Sequence, residues 1–318
     1  MGTRGTCPLT FYGTATGTLG ALIPMDDGNL VSSTVFSFND HEHAIIYIRP
    51  LEPEGPLVIV LKGPKSILLD LERPDLDARW RTILSARHVG IPACHGDAVI
   101  VPVDDSLVWW RRGEGLEPHG YRFTEDVRAV MPLERCILSV CGRALHFVDP
   151  DPGEPAITHP LNQGVADLVT GWGRNALVTV HETMRGTSVL VAVDDKGPRA
   201  LSRLDGRITA IWPSGTEAII GTEGGGVFTA DLETGELESH GMLDGPVLHA
   251  APDPYVGGSL IFGLREVAVR TSSAGFETVH LDTGPYQIHR PVTAYWSERC
   301  RSSSSNLREM VHSSLSMK

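Results

Sequence analysis

Apolar runs of about five residues recur along this chain at a nearly constant step. LVIVL from Leu57, AVIVP from Ala98, CILSV from Cys136, ALVTV from Ala176, AIIGT from Ala218 and SLIFG from Ser259 follow one another at steps of 38 to 42 residues. The runs are short and bounded by turn residues, the pattern of buried strands. Each leads through a polar turn to a second strand: SILLDL, LVWWR, ALHFV, VLVAV, VFTAD and VAVRT. A second polar turn and a further strand-like stretch close the unit. Upstream of most units lies another short apolar stretch: HVGIPA, VRAVMP, VADLVT, ITAIWP or VLHAAP, with HAIIYI from His43 in that place for the first. No segment carries apolar residues at i, i+3, i+4 and i+7 over three turns, so a helical reading fails. The nearest exception, DLDARWRTILSARH from Asp75, is read as an outer strand with a longer connection.

Four strands per repeat, joined by tight turns, make one blade of a β-propeller, a small sheet that buries its faces only by packing against others. The expected fold is therefore all-β, with four-stranded blades. Six units run from Asp40 to Thr283, and roughly one more blade remains in two pieces. GALIP and STVFSF lie before the units and VTAYW, from Val292, after them. A terminal blade built from both ends would close the ring and remove its free edges. Seven blades are expected, with six or eight also compatible. Residues 1–300 form one domain on this reading, and the Ser-rich stretch 301–318 is a weakly structured tail.

Composition adds to this picture. With 34 Gly and 22 Pro the chain is rich in turns, as all-β folds are. The formal net charge of −12 argues against general affinity for nucleic acid or for anionic lipid. No apolar run is long enough to span a bilayer. Five cysteines, an odd number with no CxxC pair, fit a reducing compartment. The first residues lack the apolar core of a signal peptide. A cytoplasmic location is expected.

One turn carries a resemblance. VFTADLETGELES, Val227 to Ser239, resembles the blade end of WD40-like and quinoprotein-like propellers, in which an Asp-x-x-Thr-Gly turn joins the third and fourth strands. Asp231, Thr234 and Gly235 would hold those places, with Asp194 and Gly197 as a weaker echo. The Asp side chain caps backbone N–H groups and Gly supplies a positive φ. The Trp-Asp and Gly-His pairs of WD40 repeats are absent. The resemblance therefore implies a fold, with no quinone or other cofactor carried over, and fold alone does not imply function.

Candidate chemistry is sparse. His41 and His43 share a face if FNDHEH is extended, and could begin a metal site, but no partner ligand has a recognisable spacing. Cys136 and Cys141 are read as flanking a turn, and as small buried hydrophobes rather than a disulfide. Adjacent Trp109 and Trp110 point to opposite faces of one strand, one of them into the core. Gly224 to Gly226 lack the Lys-Ser or Lys-Thr of a phosphate loop and read as a hairpin turn. No G-x-S-x-G elbow occurs.

In a propeller, the turns between second and third strands share a face with the connections between blades. Here that face would carry Lys62, Lys65, Asp104, Asp105, Arg143, His181, Glu182, Arg185, Glu223, Arg265 and Glu266. The connections would add Glu125, Asp126, Asp205, Arg207 and Asp244. HETMRGTS, His181 to Ser188, is longer than its counterparts and is the first candidate contact loop. A mixed-charge ring suits a polar protein surface. The expected function is a non-enzymatic scaffold or recognition module with a protein partner. The alternative is a propeller hydrolase or lyase, with a small or sugar-like ligand at the channel mouth.

Overall fold

The computed structural model describes residues 7–24, 30–37, 42–50, 57–71, 80–150, 157–161, 164–253, 258–264, 266–271, 275–280 and 288–296. The described elements are all strands, and they fall into seven four-stranded sheets. Sheet I holds β1 (Cys7–Thr14), β2 (Thr18–Pro24) and β3 (Leu30–Ser37). Sheet II is β4 (Ala44–Pro50), β5 (Leu57–Lys62), β6 (Ser66–Leu71) and β7 (Trp80–Ala86). Sheet III is β8 (Ala93–His95), β9 (Ala98–Val103), β10 (Ser106–Arg111) and β11 (Gly115–Arg122). Sheet IV is β12 (Val127–Pro132), β13 (Ile137–Cys141), β14 (Ala144–Val148) and β15 (Ile157–Pro160). Sheet V is β16 (Val165–Trp172), β17 (Asn175–Glu182), β18 (Thr187–Asp194) and β19 (Gly197–Asp205). Sheet VI is β20 (Ile208–Ser214), β21 (Glu217–Thr222), β22 (Gly226–Asp231) and β23 (Leu237–Met242). Sheet VII is β24 (His249–Asp253), β25 (Gly258–Phe262), β26 (Glu266–Thr271) and β27 (Gly275–His280). The last strand, β28 (Ile288–Trp296), pairs antiparallel with β1, so sheet I runs β28-β1-β2-β3. Every recurring apolar run is the second strand of its sheet. The stretch that came nearest to a helix contains strand β7; Asp75 to Arg79 lie outside the described residues.

Two compact units contain these sheets: Met1–Ser85 with Ala251–Lys318, and Ala86–Ala250. In the first, β4 lies against β28 and β1, and Gly13 of β1 touches Ile45 so closely that a Cβ there would sit 2.3 Å from the Ile45 Cγ2. Sheets III to VI lie within the second unit, where the second strands are buried on both faces. Along β17, Ala176, Val178 and Val180 pack with residues of sheet IV, while Leu177 packs with residues of sheet VI. Along β13, Leu138 and Val140 face sheet V, and Ile137 and Cys141 face sheet III. A strand covered on both sides must be apolar at every position, which is why these runs are continuous rather than alternating. The fourth strands are exposed over most of their length.

The Asp-x-x-Thr-Gly turn forms in atomic detail. Asp231 Oδ1 accepts hydrogen bonds from the backbone N of Glu233 (2.9 Å), the backbone N of Thr234 (2.7 Å) and Thr234 Oγ1 (3.0 Å). These donors hold the Asp231 carboxyl below the usual aspartate range, the Thr234 backbone bond contributing most. Gly235 has φ +80°, and a Cβ on it would stand 2.4 Å from the Leu201 carbonyl of β19. In the weaker echo, Asp194 Oδ1 accepts from the Lys196 backbone N at 2.8 Å.

Two sequence readings change. Cys136 and Cys141 do not flank a turn: Cys136 immediately precedes β13 and Cys141 ends it, so they stand at opposite ends of one extended strand. Both thiols are free, and burial pushes Cys136 up to about 11 and Cys141 to about 12. The second change concerns His181 to Ser188, where the extra residues lengthen β17 and β18 and leave a turn of only Thr183–Gly186. The two tryptophans do diverge. Trp110 is buried, and half-buried Trp109 lies between the His95 and His119 rings, with centroids 5.8 and 6.0 Å away.

Asp231→Ala should lower the melting temperature near neutral pH by removing three accepted hydrogen bonds. Since folding depresses this carboxyl's pKa, its contribution is in place above the ordinary aspartate range and fades as pH falls through the lowered value. The gap between wild type and variant, followed by thermal melts across pH, should therefore close in acid. A Cβ on Gly221 would lie 2.2 Å from Val247 Cγ1. Gly221→Ala should cost about 1–3 kcal/mol in urea unfolding. Adding Val247→Ala should recover part of that loss; strictly additive losses would show that the contact is not the cause.

Candidate interaction face

In a sheet whose strands alternate in direction, the turn between the second and third strands and the exit from the fourth lie at the same end. In the second unit, hydrogen bonds join these two sets. The Val127 N donates to the Asp104 carbonyl (2.8 Å), the Ala166 N to Gly142 (3.0 Å), the Gly206 N to Gly186 (2.8 Å) and the Leu243 N to Gly225 (2.9 Å). Each turn thus holds the chain where it leaves its own sheet or enters the next, and the end becomes a fixed surface.

Charged side chains on this surface are used against one another. Arg87 Nη2 donates to Asp126 Oδ1 at 2.6 Å, and Arg87 Nε lies 3.5 Å from Asp104 Oδ1. The Asp126 hydrogen bond raises the Arg87 pKa. Asp104 is the one described non-glycine residue with positive φ (+51°); its Oδ1 accepts from the His88 backbone N at 3.0 Å. Arg122 Nη1 is 3.6 Å from Asp105 Oδ2, and Glu125 Oε2 accepts from the Arg143 backbone N at 3.2 Å. Partly exposed His181 has its Nδ1 3.2 Å from Ser188 Oγ, which in turn accepts from the Ile208 N.

The β17–β18 hairpin has its own brace. Glu182, 12% exposed, accepts from both guanidinium nitrogens of Arg203 and from Thr187 Oγ1, with Arg185 Nη1 at 3.6 Å. The Arg203 hydrogen bond is the leading cause holding the Glu182 carboxyl below its ordinary range. The turn it supports presents Met184, 97% exposed, beside Arg185.

Adjacent sheets are latched by a device that recurs in the first strands. The pairing of β12, β16 and β20 with the second strand shifts register at one residue, so that Arg128, Asp167 and Thr209 are bulged. Arg128 Nη1 donates to the Ala166 carbonyl of the next sheet at 3.0 Å. Asp167 takes a two-pronged bond from Arg207, at 2.6 and 2.8 Å. Thr209 Oγ1 donates to the Val247 carbonyl at 2.5 Å. In sheet III, where the first strand is short, His88 Nε2 donates to the Val127 carbonyl at 3.2 Å.

Of the residues expected on this face, Asp104, Asp105, Glu182 and Arg185 join these clusters, and Arg143 and Glu223 lie in the matching turns. Lys62 and Lys65 are exposed in the corresponding turn of the first unit. There His43 Nε2 donates to the Lys65 carbonyl at 3.1 Å; His41 lies outside the described residues. Arg265 is also outside them, and Glu266 opens β26. Sequence reasoning missed Arg87, His88, Arg128, Asp167, Arg203 and Thr209. For three of them the signal available was a polar residue early in the first strands β12, β16 and β20 at the repeat step, hidden because its chemistry changes from Arg to Asp to Thr.

A double-mutant cycle on Arg207→Ala and Asp167→Ala should give a coupling of about 0.5–1 kcal/mol. It should shrink with added salt, because the pair is partly exposed. A zero coupling at low salt would remove this pair from the latch.

No family model matches the chain, and no curated protein sequence matches it. Solved structures do match. A candidate 6-phosphogluconolactonase from Bacteroides fragilis is similar at 10% identity and TM-score 0.63, over 91% of this chain and 98% of that one. Saccharomyces cerevisiae Sqt1 is similar at 12% identity and TM-score 0.61, over 91% and 93%. Apo AztD from Citrobacter koseri is similar at 11% identity and TM-score 0.58, over 92% and 99%. At such identities the likeness is one of fold. Repeated four-stranded antiparallel sheets and these propeller-like neighbours make the chain an all-β protein of propeller-like fold.

Proposed function

We propose that this chain is a non-enzymatic recognition module that captures a protein partner on the strand-end face bearing Asp104, Asp105, Arg143, Glu182, Arg185 and Glu223. The observation that carries the reading is the braced β17–β18 hairpin. A four-residue turn with a fully exposed Met beside an Arg is held by a nearly buried carboxylate that engages two arginines. Ordering such a tip before contact lowers the entropy cost of binding. Met and Arg are also the side chains enriched where proteins meet. The pairing of surrounding acids and bases leaves a hydrogen-bonding surface without a basic excess, which suits a protein better than a polyanion. A reducing, cytoplasmic setting is proposed with it, on an odd number of cysteines with no CxxC pair.

The test is affinity capture from the source cell with wild type, Met184→Glu and Arg185→Glu. A defined partner retained by wild type should be lost by about tenfold or more in each variant, as for a central contact residue, with melting temperatures unchanged. Equal capture by all three would overturn the reading. Turnover of a sugar lactone by the purified chain would instead favour the alternative of a propeller hydrolase, the chemistry named for the Bacteroides fragilis neighbour.

A further inference from the structure

The four outer strands of the second unit are not protected alike. An exposed edge strand invites another strand, and proteins blunt it with Pro or Lys. Pro118 lies in β11, Pro160 in β15 and Pro198 in β19. Strand β23, Leu237-Glu-Ser-His-Gly-Met242, contains no Pro, Lys or Arg. It ends the order β20-β21-β22-β23, and among the described residues no strand pairs with its outer side. Leu237 (39%) and Met242 (75%) are exposed large apolar side chains, and Glu238 and Ser239 are exposed between them. The register against β22 is regular from Leu237 to Ser239, and His240 is bulged beyond it.

Charge selects the occupant. From Ile208 to Asp244 the chain has seven Asp and Glu and no Lys or Arg. Glu236, immediately before β23, and Glu238 within it are both exposed and make no ion pair among the described residues. A second copy of β23 would bring glutamates against glutamates, a destabilising cross-strand arrangement. An extended segment with Lys or Arg on one face and apolar side chains on the other would meet Glu236 and Glu238 with one face and Leu237 with the other. We infer that the β23 edge accepts a basic, extended segment of a protein partner as a fifth strand of sheet VI. This surface is the flank of the sheet, separate from the strand-end face, so it stands or fails independently of that reading.

The probe is a short fluorescent peptide of alternating Lys and Val, titrated against the full chain by anisotropy at low and high salt. Saturable binding is expected, weakened by salt and reduced about tenfold by Glu236→Gln with Glu238→Gln. The same change at Glu114 and Glu117, beside Pro118 at the β11 edge, should leave it unaltered. A peptide N-methylated at alternate residues keeps its charge but cannot join the ladder, and should not bind. Equal binding of the methylated peptide, equal loss from the β11 variant, or no saturable binding would overturn the inference. So would a concentration-dependent dimer, seen by sedimentation, that competes with the peptide. Because both substitutions are exposed and conservative, an unchanged melting temperature verifies the fold.

Discussion

Everything in the second unit depends on one constraint: a four-stranded sheet with two apolar faces cannot stand by itself. The second strands of sheets IV and V are covered on both sides by neighbouring sheets. Burying a Leu or Val side chain contributes about 1.5–3 kcal/mol, so each sheet is worth most when both neighbours are present. The repeat step in the sequence follows from that requirement, since each unit must supply the same two faces. The close contacts follow as well. Gly221 against Val247 and Gly235 against Leu201 are places where adjoining elements come too near for a Cβ.

Apolar faces alone leave neighbouring sheets free to slide, because the hydrophobic effect is not directional. The bulged residues of the first strands supply direction. Arg128 bonds to Ala166 of the next sheet, and Asp167 and Thr209 bond to Arg207 and Val247 in the connections just before β20 and β24, so three side chains of different chemistry do one mechanical task. The same bonds hold the strand-end face together, so that its exposed tip at Met184 and Arg185 projects from a fixed base. Partner capture and sheet alignment would then draw on the same set of charged residues, with Glu182 belonging to the frame and Met184 to the contact.

The repeat of strands was legible because burial on both faces forces uninterrupted apolar runs, and such runs are visible one at a time. The Asp231 turn was legible because its hydrogen bonds are local: donor and acceptor lie within three residues. The turns carrying Asp104, Arg143 and Glu223 could be assigned to one face from strand alternation alone. Their partners could not. Arg87 meets Asp126, and Arg207 meets Asp167, across some forty residues, and nothing local marks either pair. The misreading of Cys136 and Cys141 was avoidable, since the apolar run between them is itself strand β13 and no turn separates them.

By itself the sequence determined the fold class, the four-strand unit and the face on which the turns would lie, because each rests on periodicity and on bonds between near neighbours. Only the tertiary structure decided which charges pair, which first-strand residue is bulged, that the long hairpin is braced rather than loose, and that β23 alone among the fourth strands of its unit lacks a Pro. The last was written in the sequence but had no meaning until the strand was known to be an edge. Side chains from successive repeats acquire a common chemistry only when packing of the sheets brings them within hydrogen-bonding distance.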